Sequence, residues 1–187
     1  MQIKYRLMRH SPDNATAKVF FALWPTAAER SHLAAWQMPL KALCGGRAMR
    51  GETLHSTLVF IGDIEQSGLE ALQLAAQEVN GVCFELCFDE ARYWGHNHIL
   101  YAAPGHIPQQ LVQLVDALEQ RLTKHRFKFD SREYKPHVTL LRNAHWSDAP
   151  LTAMQPVCWR IRDFVLVQSL PDEYLVLARF PLSKSSG

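Results

Sequence analysis

The chain has no apolar run near the roughly 20 residues that a membrane-spanning helix needs. The longest near its start, Val19 to Trp24, has no small-residue cleavage site and leads into an amphipathic pattern, which argues against a secretory signal. Cysteine is scarce: Cys44, Cys83, Cys87 and Cys158 are four in 187 residues, which do not form a disulfide framework. Cys83 and Cys87 lie in an apolar stretch, so buried free thiols in a reducing cytoplasm are expected, with no membrane partner. Gly-rich phosphate loops, nucleophile elbows and Cys/His pairs with supporting spacing are missing too. A content of 48% hydrophobic and 20% charged residues argues against wholesale disorder. What remains is an ordinary globular chain, long enough for one sizeable domain or two small lobes sharing a core.

The charge is uneven. A formal net charge of +2 contains a window, Arg121 to Arg142, with seven basic residues and two acidic ones, Asp130 and Glu133. That surplus of five leaves the rest of the chain at −3, so the positive field is concentrated in one stretch. A field of that sign points to an anionic ligand.

Residues 1–17 are polar and aperiodic and read as a flexible leader before a single domain over 18–182; residues 183–187 read as a frayed tail. Lys18 to Trp24 reads as a short strand ended by Pro25. Thr26 and Glu29 match a capping box that opens a helix to about Leu43, stopped by Gly45-Gly46. A strand is expected around Thr53 to Ile61. A second capping box, Ser67 to Glu70, opens a helix toward Val79. Strands follow near 84–89 and 99–103, then a helix from Pro108 to Lys124 with Leu111, Leu114, Val115, Leu118 and Leu122 on one stripe. The last strands are expected near 161–168 and 175–180.

One phrase is repeated. His55-Ser56-Thr57-Leu58 returns as His137-Val138-Thr139-Leu140, each time in apolar, strand-like surroundings. Side chains at i and i+2 of a strand share a face, so each copy projects an imidazole beside a hydroxyl. The order strand, helix, His-x-Thr strand also recurs, which predicts one bilobal domain, a pseudo-twofold duplication with a pair of sheets whose two phrases are opposed at the interface.

Histidine titrates near neutrality, so an opposed pair can act as base and acid on either side of one phosphorus. One imidazole takes a proton from an attacking water; the other protonates the departing oxygen. Thr57 and Thr139 can donate to non-bridging phosphate oxygens, and Arg142 adds a bidentate cation. Tyr134, and Trp94 in the turn between two strands, can stack on a base. No metal or other cofactor is expected. Hydrolytic metals want three or more protein ligands, neither phrase has a carboxylate, and the nearest, Glu52 and Glu133, do not repeat. His96-Asn97-His98 is too weak a pattern to change that.

The stretches Thr53-Leu54-His55-Ser56-Thr57-Leu58-Val59-Phe60-Ile61-Gly62 and Tyr134-Lys135-Pro136-His137-Val138-Thr139-Leu140-Leu141-Arg142 resemble the paired motifs of the two-histidine phosphoesterase superfamily. Within it, the chain is similar to the bacterial RNA 2′,3′-cyclic phosphodiesterases, also called 2′-5′ RNA ligases. The resemblance implies a bilobal α+β fold, with two antiparallel sheets facing a central positive cleft and helices packed outside, and metal-independent opening of a 2′,3′-cyclic phosphate, on an RNA end or a nucleotide, to a 2′-phosphate. It implies His55 on the leaving oxygen, His137 on water, Thr57 and Thr139 as phosphate donors, and Arg142 and Arg132 as flanking cations. Thr53, where relatives often carry Asn, and Glu133-Tyr134, where they carry Pro-Phe-like residues, depart from the pattern. Reversible 2′-5′ ligation and a non-catalytic RNA- or nucleotide-binding module are the alternatives, and a monomer is expected.

Overall fold

Strand, helix and His-x-Thr strand do occur twice in a computed structural model of the chain, which describes residues 16–147, 154–171 and 173–184. Most of the expected leader, residues 1–15, and the last three residues of the expected tail lie outside the described residues.

The first half runs β1 (Thr16–Leu23), α1 (Ala27–Ala34), α2 (Gln37–Cys44), β2 (Arg47–Ala48), β3 (Ser56–Glu65) and α3 (Leu69–Gln77). Then come β4 (Phe84–Phe88), β5 (Glu90–Trp94), β6 (Ile99–Ala103), α4 (Gln109–Lys124) and β7 (Val138–Arg142). The chain closes with β8 (Val157–Ile161), β9 (Asp163–Ser169) and β10 (Tyr174–Pro181). One antiparallel sheet has the order β10-β9-β1-β3 and the other β2-β7-β6-β5; β4 and β8 form a separate ribbon.

Alternation on the strands explains the layering. Val19, Phe21 and Leu23 of β1, and Leu100 and Ala102 of β6, face one shared core with Leu33, Leu40, Leu72 and the α4 leucines. Phe20 and Ala22 face the other way with Val165, Val167 and Trp24. Ile99, Tyr101 and Ala103 do the same in the second sheet, with Trp94. Each sheet therefore has a helix-covered face and a second face bearing its own small apolar cluster. The histidines rest on these clusters.

Several local expectations are corrected. The first helix is two helices, broken at Ala35–Trp36; its capping box is present, with the Glu29 amide donating to Thr26 Oγ1 at 3.3 Å and the Thr26 amide to Glu29 Oε2 at 2.8 Å. Ser67 does not cap α3: a 3₁₀ turn over Gln66–Gly68 precedes that helix, and Ser67 Oγ donates to Glu65 instead. β3 begins at Ser56 and not at Thr53, because Gly51–Thr53 forms a 3₁₀ turn closed by Thr53 Oγ1 donating to Arg50 O at 2.7 Å. Trp94 ends strand β5 and is not in the turn. The stretch expected as one strand over 161–168 is split at Arg162, where the chain leaves the β8 ribbon for the first sheet.

The thiol expectation fails for one pair. Cys87 and Cys158 sit opposite each other on β4 and β8 and are joined in a disulfide, while Cys44 and Cys83 are free, the first buried and the second half-buried. Their separation of 71 residues hides this pairing from the sequence. No helix among the described residues is long and apolar enough to cross a membrane.

Candidate active site

Both histidines stand immediately before their strands, and both are held in the same way. His55 Nδ1 donates to Thr53 O at 2.7 Å, and His137 Nδ1 to Lys135 O at 2.7 Å. A carbonyl oxygen only accepts, so the proton sits on Nδ1 of each ring and Nε2 is left to exchange protons with a ligand. The two rings line one cavity of about 230 Å³ together with Thr57, Thr139 and Arg142.

Aromatic frames set the ring orientations. His55 is stacked on Phe20 (centroids 4.9 Å apart, 27° between planes) and on Trp24 (5.5 Å, 19°), with Tyr174 edge-on at 5.1 Å. Phe20 and Trp24 fall on one face of β1 and its extension, so the imidazole can stack on both rings. His137 meets Trp94 edge-on at 4.6 Å and Tyr101 at 5.7 Å. Burial in these frames pushes the His55 imidazole down to about 4, against the opposing pull of its bond to Thr53 and with further lowering from the nearby His137 and Arg30. His137 is lowered too, by burial first and then by Arg142, against its bond to Lys135. Both shifts favour the neutral ring over the charged one.

The threonines occupy equivalent places in the register: Thr57 is opposite Ala22 on β1, and Thr139 opposite Tyr101 on β6. Immediately after each, the register shifts by one residue, at Leu58 in β3 and at Leu140 in β7. A residue three positions past Thr139 should face away from the cleft. The bulge lets Leu140 and Leu141 both enter the core and returns Arg142 to the cavity. The same device buries Leu58 and Val59 and returns Phe60, which is 40% exposed, to the same cavity.

The structure brings together His55, His137, Thr57, Thr139 and Arg142; the other two expected site residues lie beside them. The central cavity continues past Thr57, Phe60, His137 and Arg142 into a groove of about 640 Å³ that Trp94, Tyr134, Lys135 and Arg132 line. Arg132 is exposed and ion-paired to Asp130, with Nε donating to both carboxylate oxygens at 2.9 Å, and Lys135 pairs with Glu133 at 3.2 Å. Local acids thus offset part of the basic surplus, whereas Arg142 has no acidic partner among the described residues. The Tyr134 ring packs on the core, and its hydroxyl is buried beside Ser56; burial raises the phenol, against an opposing pull from the Ser56 hydroxyl.

On the opposite side the central cavity opens past Met49, Thr53, Ser169 and Tyr174 into a third space of about 340 Å³, lined also by Arg47 and Arg50. Sequence reasoning passed over Phe60, Tyr174, Phe20 and the Arg47 arm. One signal was present: Phe60 stands five residues after His55, as Arg142 does after His137. Among the described residues, the one cluster of three potential metal ligands is Glu85, Cys87 and Cys158 on the ribbon, and its two sulfurs are bonded to each other.

Comparison with known proteins gives a consistent result. The sequence model of the 2′-5′ RNA ligase superfamily matches residues 24–173. An Escherichia coli (strain K12) RNA 2′,3′-cyclic phosphodiesterase is 28% identical over 127 residues, 68% of this chain and 72% of that protein. The crystal structure of E. coli LigT complexed with 3′-AMP superposes with a TM-score of 0.78 at 26% identity, over 90% of this chain and 99% of that one. A crystal structure described as a phosphoesterase shares the fold with a TM-score of 0.79 at 24% identity, over the same 90% of this chain and 99% of its own.

Proposed function

Since the chain belongs to the 2′-5′ RNA ligase superfamily, we propose that it hydrolyses 2′,3′-cyclic phosphate ends of RNA or nucleotides to 2′-phosphates, using His55 and His137 as an acid–base pair. The E. coli relative named as an RNA 2′,3′-cyclic phosphodiesterase supports the substrate. The observation that carries the chemistry is the pair of imidazoles in one cavity, each with Nδ1 engaged by its own backbone and Nε2 without a hydrogen-bond partner among the described residues.

In this reading His137 Nε2 accepts a proton from water as its oxygen attacks phosphorus. The bond from phosphorus to O3′ breaks, and O3′ takes a proton from His55 Nε2. The product is a 2′-phosphate and a free 3′-hydroxyl, and the two histidines exchange protonation states over the step. Thr57 and Thr139 hydroxyls, with the Arg142 guanidinium, stabilise charge on the non-bridging oxygens. Two imidazoles are fewer ligands than a hydrolytic metal wants, so full activity in chelator is expected.

The test is hydrolysis of adenosine 2′,3′-cyclic phosphate with EDTA present. His55→Ala and His137→Ala should each lose about 10²–10⁴ in kcat. Wild-type turnover in both variants would overturn the assignment. A joined product from cleaved RNA ends would instead indicate that a 5′-hydroxyl takes the place of the attacking water.

A further inference from the structure

We propose that Arg47 is a second phosphate contact and that the preferred substrate is an RNA end with at least one further phosphate upstream of the cyclic one. The proposal rests on the cyclic-phosphodiesterase reading and names the form of substrate within it.

Arg47 on β2 is directly opposite Arg142 on β7 in an antiparallel pair, so the two side chains leave the sheet on the same face. Such opposed Cβ atoms lie about 5 Å apart, and like charges there are destabilising unless an anion lies between them or beside them. Neither guanidinium has a carboxylate partner among the described residues. Arg50 in the same arm is paired to Glu52 at 3.3 Å, and the carboxylate that shares the cavity, Glu173, is exposed. The fold has therefore placed, one strand away from the first, a second cation that has no carboxylate partner among the described residues.

Its placement is fixed by packing. Gly46 has φ +83°, and a Cβ there would stand 2.7 Å from the Arg142 carbonyl oxygen; the missing side chain lets the chain meet β7 at this point. Past Arg47, the Met49 amide donates to Leu140 O at 2.9 Å, beside the bulge that aims Arg142. The buried Gln37 Nε2 then donates to both Met49 O at 2.8 Å and Leu140 O at 3.1 Å, clamping the two strands.

Arg142 lines the central cavity, and Arg47 lines the arm that opens from it past Tyr174. A mononucleotide cyclic phosphate carries one phosphate and occupies the first position alone. An oligonucleotide carries the next phosphate one nucleotide upstream, where an adjacent guanidinium can receive it as a bidentate partner.

The experiment compares kcat/KM on adenosine 2′,3′-cyclic phosphate with that on a triadenylate ending in a 2′,3′-cyclic phosphate, for the wild type and Arg47→Gln. The trinucleotide should be preferred by the wild type, and the variant should lower the trinucleotide-to-mononucleotide ratio about tenfold, with Arg47→Lys restoring part of it. The salt dependence on the trinucleotide should also weaken, its log–log slope falling by about 0.7 for one lost phosphate contact. An unchanged ratio overturns the proposal. If the wild type hydrolyses neither substrate, the phosphodiesterase reading fails by itself. Arg47 is then judged by titration with the triadenylate 2′-phosphate, where equal affinity in wild type and Arg47→Gln overturns it.

Discussion

Phe60 and Arg142 are structural counterparts. Each follows its histidine by five residues, and each is returned to the cleft by a one-residue bulge three positions after that histidine. Two lobes with the same backbone device thus present different chemistry to one cavity, an aromatic face from the first and a cation from the second. A pseudo-symmetric cleft thus has two unlike sides, a cationic one at Arg142 and an aromatic one at Phe60.

Replacing Phe60 with Ala should therefore impair binding more than chemistry. Stacking of a base on an aromatic ring is worth about 1–3 kcal/mol, so KM for a cyclic nucleotide should rise roughly 5- to 150-fold with kcat little changed. Arg142→Gln should show the reverse bias, a kcat loss of about 10²-fold, as expected for a group that stabilises transition-state charge. Steady-state kinetics on both variants separate the roles, and an equal split in both would remove the distinction.

His55 also makes stability depend on pH. Its folded-state value of about 4 lies below the ordinary 6.5, so the unfolded chain binds the extra proton first as pH falls. The contribution is fully present above pH 6.5 and is lost as pH falls toward about 4. Its full size is on the order of 3 kcal/mol. Urea titrations between these limits should show stability falling with acidification in the wild type, and a shallower fall in His55→Asn. Identical slopes would mean that the ring is not held neutral by the fold.

The same depression bears on the mechanism, because a general acid must carry a proton and His55 is neutral in the free cleft at pH 7. A phosphate anion bound beside Nε2 favours the charged ring and offsets the effect of burial. Binding should thus draw a proton from solution. Calorimetric titration with adenosine 2′-phosphate at pH 7, in buffers of different ionisation enthalpy, should report net proton uptake that falls in His55→Asn. Uptake unchanged in that variant would place the proton on the phosphate or on His137.

What the sequence displayed well was local or periodic. The Thr26–Glu29 cap, the α4 leucine stripe and the buried β6 run are each set by neighbours a few residues away, and each is found where it was expected. The β5 strand escaped notice because Glu90–Trp94 is half-buried without clean alternation. Ser67 obeyed a capping pattern yet gave way to a 3₁₀ turn. The deeper failures were non-local. Nothing near Leu58 or Leu140 in sequence announces a bulge, which arises only against β1 and β6, and nothing near Cys87 announces Cys158. The two phrases could be read from residues; the route by which Phe60 and Arg142 reach them could not.

Adjacent glycines provide a test of how tightly the Arg47 edge is built. Gly45 and Gly46 both have positive φ, +63° and +83°, and Gly45, with ψ −149°, lies where essentially only glycine is found, so alanine at either position is strained, by about 1–3 kcal/mol. They differ in surroundings. A Cβ at Gly45 meets nothing within 4 Å, whereas one at Gly46 would press on Arg142 O at 2.7 Å and on Ala144 backbone atoms at 3.0 Å, none of which can swing aside. Gly45→Ala should lose only its own strain, while Gly46→Ala should add to its strain at least about 1 kcal/mol as β2 is pushed off β7. Urea denaturation measures both. Because β2 carries Arg47 and abuts the bulge that aims Arg142, Gly46→Ala should also reduce kcat/KM, and Gly45→Ala should not. Unchanged kcat/KM in Gly46→Ala would show that β2 is free to move, and that the opposed arginines are not held in place by the edge.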